Sequence, residues 1–348
     1  MNGKTGKPYF LDWKTSFKEL SYDCQNCGLD CCKLYQVSMN ERDEKRMLDE
    51  MGELRFKGAV EYGSGRPMLK RRSDGSCVLL RERMCSIHGF KPRVCSIFPL
   101  LLNPASDGTL RVDCTRMCPQ TEQGVKVSEK DVEAYVNSVF LEYDDYYPLQ
   151  ASSFLNLTER LSGRHPLLKN LAFVEVEIEK AIERSLGSSF NPQRVYDEIR
   201  LLSGMPERKI KLDALRSLEG LLQAGVNAID FSKRPASCCS IILKDGFLVV
   251  PNSRIPYNGL KNVVAVDEPS RRILIDYLSE VARRGKSSQY IAKALIDGNK
   301  ENVFDAMAYY LFHHASALLL YLQLYSSPYE AIASHDYALS GRIDSLLS

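Results

Sequence analysis

The sequence has none of the short loops that usually hold common cofactors. No Gly-x-Gly-x-x-Gly follows a candidate strand, and there is no P-loop, no Gly-x-Ser-x-Gly and no His-Glu-x-x-His. Dinucleotide binding, P-loop phosphate chemistry, serine hydrolysis and zincin-type proteolysis in their usual forms are thereby excluded. Net charge is also scarce. Lys and Arg number 46 against 44 Asp and Glu, a formal charge of +2, so no global field draws nucleic acid or an anionic membrane. The N-terminal stretch MNGKTGKPYFLDWKTSFKEL lacks the apolar run of a signal peptide, and a cytoplasmic location is expected. The most apolar late stretch, 306–325, carries His313, His314 and Gln323 near its middle, so it reads as a buried helix rather than a membrane span. Internal repeats and low-complexity tracts are missing as well.

What is present is an ordinary globular composition, 44% hydrophobic and 26% charged over 348 residues, which suggests two domains. The first, 1–125, is rich in turns. Asp74-Gly75 stands between two candidate strands, and Asp107-Gly108 repeats the device, so two hairpins would deliver Cys77 and Cys114. Residues 38–52 read as a short exposed helix ending near Gly52, and 62–67 as a flexible loop. From 126 to 348 the pattern becomes helical. Ser128 with Asp131 resembles a capping box ahead of Val132, Tyr135, Val136, Val139, Phe140 and Tyr143 on one face. Further helices are expected near 150–162, 166–186, 191–203, 206–226, 269–284, 288–297 and 302–325, interrupted by a hairpin around Asp245-Gly246 and a candidate strand in NVVAV, within 240–266. The expected fold class is α+β: a small irregular cysteine-rich module with short hairpins, then a mostly α-helical domain with one β-hairpin insertion.

The eleven cysteines are unevenly spread. Nine lie between Cys24 and Cys118, and the other two are the adjacent Cys238 and Cys239. In a reducing compartment such a cluster binds metal more readily than it forms disulfides. Cys24-x2-Cys27 lets one tight loop present two sulfurs to an ion, and it is joined by Cys31, Cys32, Cys77, Cys85, Cys95, Cys114 and Cys118. Nine thiols fit two zinc sites, or one iron–sulfur cluster with spares. Residues 66–93 contain eight Lys or Arg, which would stabilise thiolates nearby. Adjacent side chains rarely reach one ion together, so Cys31 and Cys32 are expected to divide their roles. His88, Cys238-Cys239, His313 and His314 are read as packing or hydrogen-bonding residues. The run EYDDYYP at 142–148 reads as a solvated helix end.

These motifs resemble the YkgJ-type cysteine-cluster family of zinc- or iron-chelating domains, which includes the flagellin lysine methylase FliB. The family pattern opens with Cys-x2-Cys-x2-Cys-Cys, continues with a Cys before one or two apolar residues, and then runs Cys-x-Ile-Tyr-x-x-Arg-Pro-x-x-Cys-Arg-x-Phe-Pro. The chain matches it at Cys24, Cys27, Cys31 and Cys32, at Cys77 with Leu79 and Leu80, and at Cys85, Ile87, Pro92, Cys95, Phe98 and Pro99, with Cys114 and Cys118 as the closing group. It departs in one extra residue before Cys31, in His88 for Tyr, in Lys91 for Arg and in Ser96 for Arg. The resemblance covers residues 20–120 and implies all nine clustered cysteines as metal ligands, with a 4Fe-4S cluster or zinc as cofactor. It also implies one possible activity, S-adenosylmethionine-dependent methyl transfer to a lysine of a protein partner. The alternative is a non-catalytic zinc-stapled scaffold that recognises a protein. The radical S-adenosylmethionine order Cys-x3-Cys-x2-Cys is reversed at 24–31, and finger spacing for DNA is absent.

Overall fold

The computed structural model describes residues 13–338 apart from 23–30, 64–65, 83, 106, 108, 117–124, 143–157, 205–225, 231–236, 245–246, 251–252, 299, 301 and 326. Its first part is a series of small sheets. β1 (Trp13–Thr15) and β2 (Ser21–Tyr22) precede the one-turn helix α1 (Cys31–Leu34), and α2 (Glu41–Met51) and α3 (Glu53–Ala59) lead into the hairpin of β3 (Val60–Gly63) and β4 (Arg66–Leu69). β5 (Leu80–Arg81) pairs with β6 (Met84–Cys85), α4 (Arg93–Ile97) follows, and β7 (Leu100–Pro104) turns back on β8 (Leu110–Cys114). β1 lies parallel to β8 on its other edge, β9 (Val125–Lys126) pairs with β2, and α5 (Glu129–Glu142) comes next.

Local chemistry accounts for these elements. Asn40 caps α2 by accepting from the amide of Asp43, and Gly52, at φ +76°, ends it in a conformation only glycine adopts cheaply. Met47 is the residue α2 buries deepest. α3 was not legible, because it starts directly after that glycine without a side-chain cap. At α5, Ser128 and Asp131 cap each other reciprocally, with Val132 and Val136 buried, as the capping-box reading expects.

Two expectations change. Residues 62–67 form a hairpin rather than a flexible loop, with Tyr62 opposite Pro67 and Gly63 opposite Arg66. Asp74-Gly75 does make a turn, with Gly75 at φ +81° and Asp74 accepting from the Ser76 amide and hydroxyl, but it closes only the single bridge Arg71–Cys77. β4 has already found its partner in β3, so no second ladder grows from it. The Asp107 hairpin does form, pairing Leu100 with Cys114 and Pro104 with Leu110.

The second part is built on helices. α6 (Leu171–Ser185), β10 (Ser189–Phe190) and α7 (Pro192–Leu201) precede the strands β11 (Val226–Asp230), β12 (Ser237–Lys244), β13 (Phe247–Val250), β14 (Ser253–Pro256) and β15 (Val264–Ala265). α8 (Glu268–Arg283), α9 (Gly285–Ile296), α10 (Val303–Leu324) and α11 (Pro328–Ala338) complete it. The insertion expected as one hairpin is a four-stranded antiparallel sheet in the order β11-β12-β13-β14, because flanking strands cover both edges of the β12–β13 hairpin. The candidate strand NVVAV pairs instead with β10. Of the expected helices, 206–226 falls almost entirely outside the described residues, as do most of 150–162 and of the EYDDYYP run. α10 is buried over most of its surface because it is apolar all round, and among the described residues no helix is long and apolar enough to cross a membrane.

β8 joins the two parts. Leu110, Val112 and Cys114 point into a small core with Phe17, Leu20, Val132 and Val136. On the opposite face Arg111 and Asp113 are also buried, because the helical part covers them: Arg111 reaches Glu175 on α6 at 2.6 Å, and the Gly285 amide at the start of α9 donates to Asp113 at 3.1 Å. A Cβ on Gly285 would stand 2.5 Å from Asn103 Cβ and 2.9 Å from Asn103 O, so the close approach of α9 to β7 requires glycine.

Candidate metal centre

Five of the nine clustered cysteines, carried on four separate segments, lie near enough for their charges to act on one another. Cys31 and Cys32 lie on α1, Cys77 on the turn after β4, Cys85 on β6 and Cys95 on α4. The amide of Cys77 donates to the carbonyl of Cys32 at 2.7 Å, which fixes the first two segments edge to edge. Arg71 reinforces that junction. Its Nη1 donates to the Lys33 carbonyl at 2.9 Å and to the Gly75 carbonyl, while its Nε donates to Gln36 Oε1 at 3.1 Å. Arg72 reaches the carbonyls of Val78 and Leu80, holding the stretch that runs on to Cys85.

The Cys95 loop is tied to α2. Asp43, buried, accepts from the Arg93 amide at 3.1 Å and from Arg46 at 2.7 Å, and Arg46 also donates to the Lys91 carbonyl at 3.0 Å. Pro92 caps α4, and Phe98 packs against Tyr35 with ring centroids 5.3 Å apart. Beneath the cysteines lies a core of Met39, Met47, Phe56, Leu69, Leu79 and Ile87.

The sulfurs sense one another. Cys32 is pushed up strongly, first by its hydrogen bond with Cys31, then by burial and by the charges of Cys31, Cys77 and Cys85. Burial raises Cys95 to about 12, with Cys31, Cys85 and Cys77 adding to it and the cation of Lys91 opposing. Cys85 is raised by burial and by Cys77 and Cys31, against the Ile87 amide and Lys91. Packed thiols of this kind stay protonated until a cation balances them, and a soft divalent ion or an iron–sulfur core is the cation such donors select. Among the described residues no group of three or more His, Cys, Asp or Glu closes on a single ion position. Cys24, Cys27 and Cys118 lie outside the described residues.

Cys114 is placed differently. Its buried sulfur sits at the end of β8, 3.5 Å from the Thr115 carbonyl, and burial holds its thiol well above the usual range, with Glu280 and Asp336 adding to that and Arg116 and Arg284 opposing. His88 is exposed in a 3-10 turn. Cys238 and Cys239 pair across β12 with Ile229 and Ala228, and His313 and His314 sit on α10 among Tyr309, Tyr310 and Phe312.

The charges around Cys114 form a group that sequence reading missed. Arg116 donates to Glu280 at 2.7 Å, and Arg284 donates to Glu280 at 3.0 Å and to Asp336 at 2.9 and 3.0 Å. Tyr277 donates to Asp336, and its oxygen lies 2.6 Å from Nδ1 of His335. Burial lowers His335 to about 4, so this imidazole is neutral at pH 7. Glu280 and Arg284 are an i,i+4 pair on one helix, but the contacts of Arg116 with Glu280 and Asp336 span 164 and 220 positions, which nothing in the local sequence announces. The one available signal was a cluster of charges in otherwise apolar helical stretches.

A module that gathers thiols on short turns over a small core is a thiolate metal-binding module. Residues 23–133 match the family model CxxCxxCC, described as “Putative zinc- or iron-chelating domain”. The match supports binding of zinc or iron by this region. An uncharacterized protein of Methanocaldococcus jannaschii is 26% identical over 221 residues, 61% of this chain and 75% of that protein. No solved structure matches the chain.

Proposed function

We propose that the chain is an iron–sulfur protein whose cluster is held by thiolates of the cysteine module, and that the cluster serves methyl transfer to a lysine of a partner protein. The observation behind the first part is that Cys31, Cys32, Cys77, Cys85 and Cys95, on four separate segments, act on one another's charge, which supports a thiolate site, and the resemblance to the methylases favours iron–sulfur over zinc there. When bound, a cluster supplies redox and Lewis-acid chemistry that side chains alone do not.

The chain's own residues prepare the site. Arg71 and the Cys77 amide fix the Cys31–Cys32 turn against the Cys77 turn, and α2 holds the Cys95 loop through Asp43 and Arg46. Lys91 places a cation beside Cys85 and Cys95. Support for the second part is the resemblance to flagellin lysine methylases. In that reaction a neutral lysine nitrogen takes the methyl of S-adenosylmethionine, releasing S-adenosylhomocysteine and a proton to a base.

The test is the visible spectrum and metal content of protein purified without oxygen. A brown protein with about four irons per chain is expected, and S-adenosylmethionine binding by calorimetry should follow. A colourless protein with one or two zincs per chain would replace this reading with a zinc-stapled scaffold. Iron without any S-adenosylmethionine binding would overturn the methyl-transfer part alone.

A further inference from the structure

The helical half holds a second group of reactive side chains, remote in sequence from the cysteine module. α10 is apolar almost all round, and from Val303 to His314 every residue is buried except Asp305, Tyr309 and His313. These three follow one another at intervals of four and so share one face. Neighbouring elements bring further polar groups to it. From α7, Arg200 places its Nε 3.8 Å from Asp305 Oδ1, and from α9 the half-buried Tyr290 senses the charges of Tyr309 and Asp305. The α9–α10 connection supplies Lys300, whose Nζ stands 3.6 Å above the centre of the Tyr309 ring. His313 meets the same ring edge on, with centroids 4.6 Å apart.

Packing leaves these groups chemically unsatisfied. Among the described residues, Lys300 meets no carboxylate within ion-pair distance. Nor do its amine, the ring nitrogens of His313 or the hydroxyls of Tyr290 and Tyr309 share a hydrogen bond with any of them. A half-buried amine without an anionic partner is costly. A lysine stem is long enough to carry its charge out to water instead, so holding it over a ring calls for a reason. Burial lowers Lys300, with Arg200 adding to the effect and Asp305 opposing it, which makes more of the neutral amine available. Burial, followed by the Lys300 cation, lowers His313 to about 4, so this imidazole is neutral at pH 7 and able to accept a proton. A desolvated amine beside another cation is the lysine that attacks carbonyl carbon.

We propose that Lys300 is the nucleophile of a second site, which takes a small aldehyde or ketone as an imine, with His313 as proton relay and Asp305 as counter-charge to the protonated product. The amine lone pair adds to the carbonyl carbon and forms the C–N bond, while a nitrogen proton passes by way of His313 to the former carbonyl oxygen. As the C=N bond closes, that oxygen leaves as water with the second amine proton. Amine and carbonyl compound give imine and water, so the step needs no oxidant or reductant. The site uses none of the cysteines, and its failure would leave the metal reading untouched.

The experiment incubates the full chain at pH 7 with acetaldehyde and sodium cyanoborohydride, which reduces the imine to stable ethyl-lysine, and follows each lysine peptide by mass spectrometry. Lys130 and Lys293, both exposed, serve as internal references. Lys300 is expected to be labelled about tenfold faster than either, at a rate that saturates as acetaldehyde rises. His313→Gln is expected to slow labelling of Lys300 about tenfold while Lys130 and Lys293 keep their rates. Labelling of Lys300 no faster than the references, or first order in acetaldehyde throughout, would overturn the site. An unchanged Lys300 rate in folded His313→Gln would overturn the relay. Should that variant not fold, the wild-type rates and their saturation decide.

Discussion

Replacing Gly285 by alanine sets local propensity against tertiary packing, and the two disagree in sign. Gly285 is the first residue of α9, where alanine would be expected to stabilise the helix by up to about 1 kcal/mol. Against this, the new Cβ would lie 2.5 Å from Asn103 Cβ and 2.9 Å from the Asn103 carbonyl oxygen, backbone that is held in the β7–β8 ladder. Overpacking of this kind costs about 1–3 kcal/mol. The helix must retreat, which lengthens the 3.1 Å hydrogen bond from the Gly285 amide to buried Asp113 and adds about 1–3 kcal/mol for a weakened buried acceptor. The net expectation is a loss of about 2–4 kcal/mol. Urea unfolding of the full chain should show a lower midpoint with unchanged slope. Gly89→Ala, where a Cβ meets nothing within 4 Å, should stay within about 0.5 kcal/mol of wild type. A Gly285→Ala midpoint equal to or above wild type would refute the close-approach reasoning.

Asp113→Asn should alter the pH dependence of stability. Burial raises the Asp113 carboxyl from 3.8 to about 6 despite Arg284, so the folded chain holds this proton more tightly than the unfolded chain, and wild type loses stability as pH rises from about 4 to about 6. Relative to wild type, the asparagine variant should gain about 2 kcal/mol between pH 4 and 7, measured by urea unfolding, and a pH-independent difference would contradict the burial assignment. Arg71→Met should lower metal affinity about 10–100-fold by chelator competition, with Arg71→Lys recovering only part, because a lysine cannot reach the Lys33 carbonyl, the Gly75 carbonyl and Gln36 at once. Asn40→Ala should cost about 1 kcal/mol in thermal unfolding through loss of the α2 cap.

Much of this molecule follows from local rules. The cysteine spacing marked the metal module, the Ser128–Asp131 pair marked the start of α5, and periodicity marked α6 to α10, because each of these depends on residues a few positions apart. Asp107-Gly108 marked the β7–β8 hairpin for the same reason. Where neighbours distant in sequence decide, local reading had no purchase. The strands at 226–230 and 253–256 exist because the edges of the β12–β13 hairpin were there to be covered. The β3–β4 pairing took the partner that the Asp74-Gly75 turn seemed to promise. Arg111 and Asp113 alternate with apolar residues in the manner of a solvent-facing strand edge, yet the helical half buries them. The sequence by itself determined that thiols would gather and which short segments would carry them. Only the tertiary structure decided which sulfurs face one another, and that the end of β8 is gripped by carboxylates and guanidinium groups from helices more than 160 residues away, since a buried charge is tolerable only where the fold delivers its counter-charge.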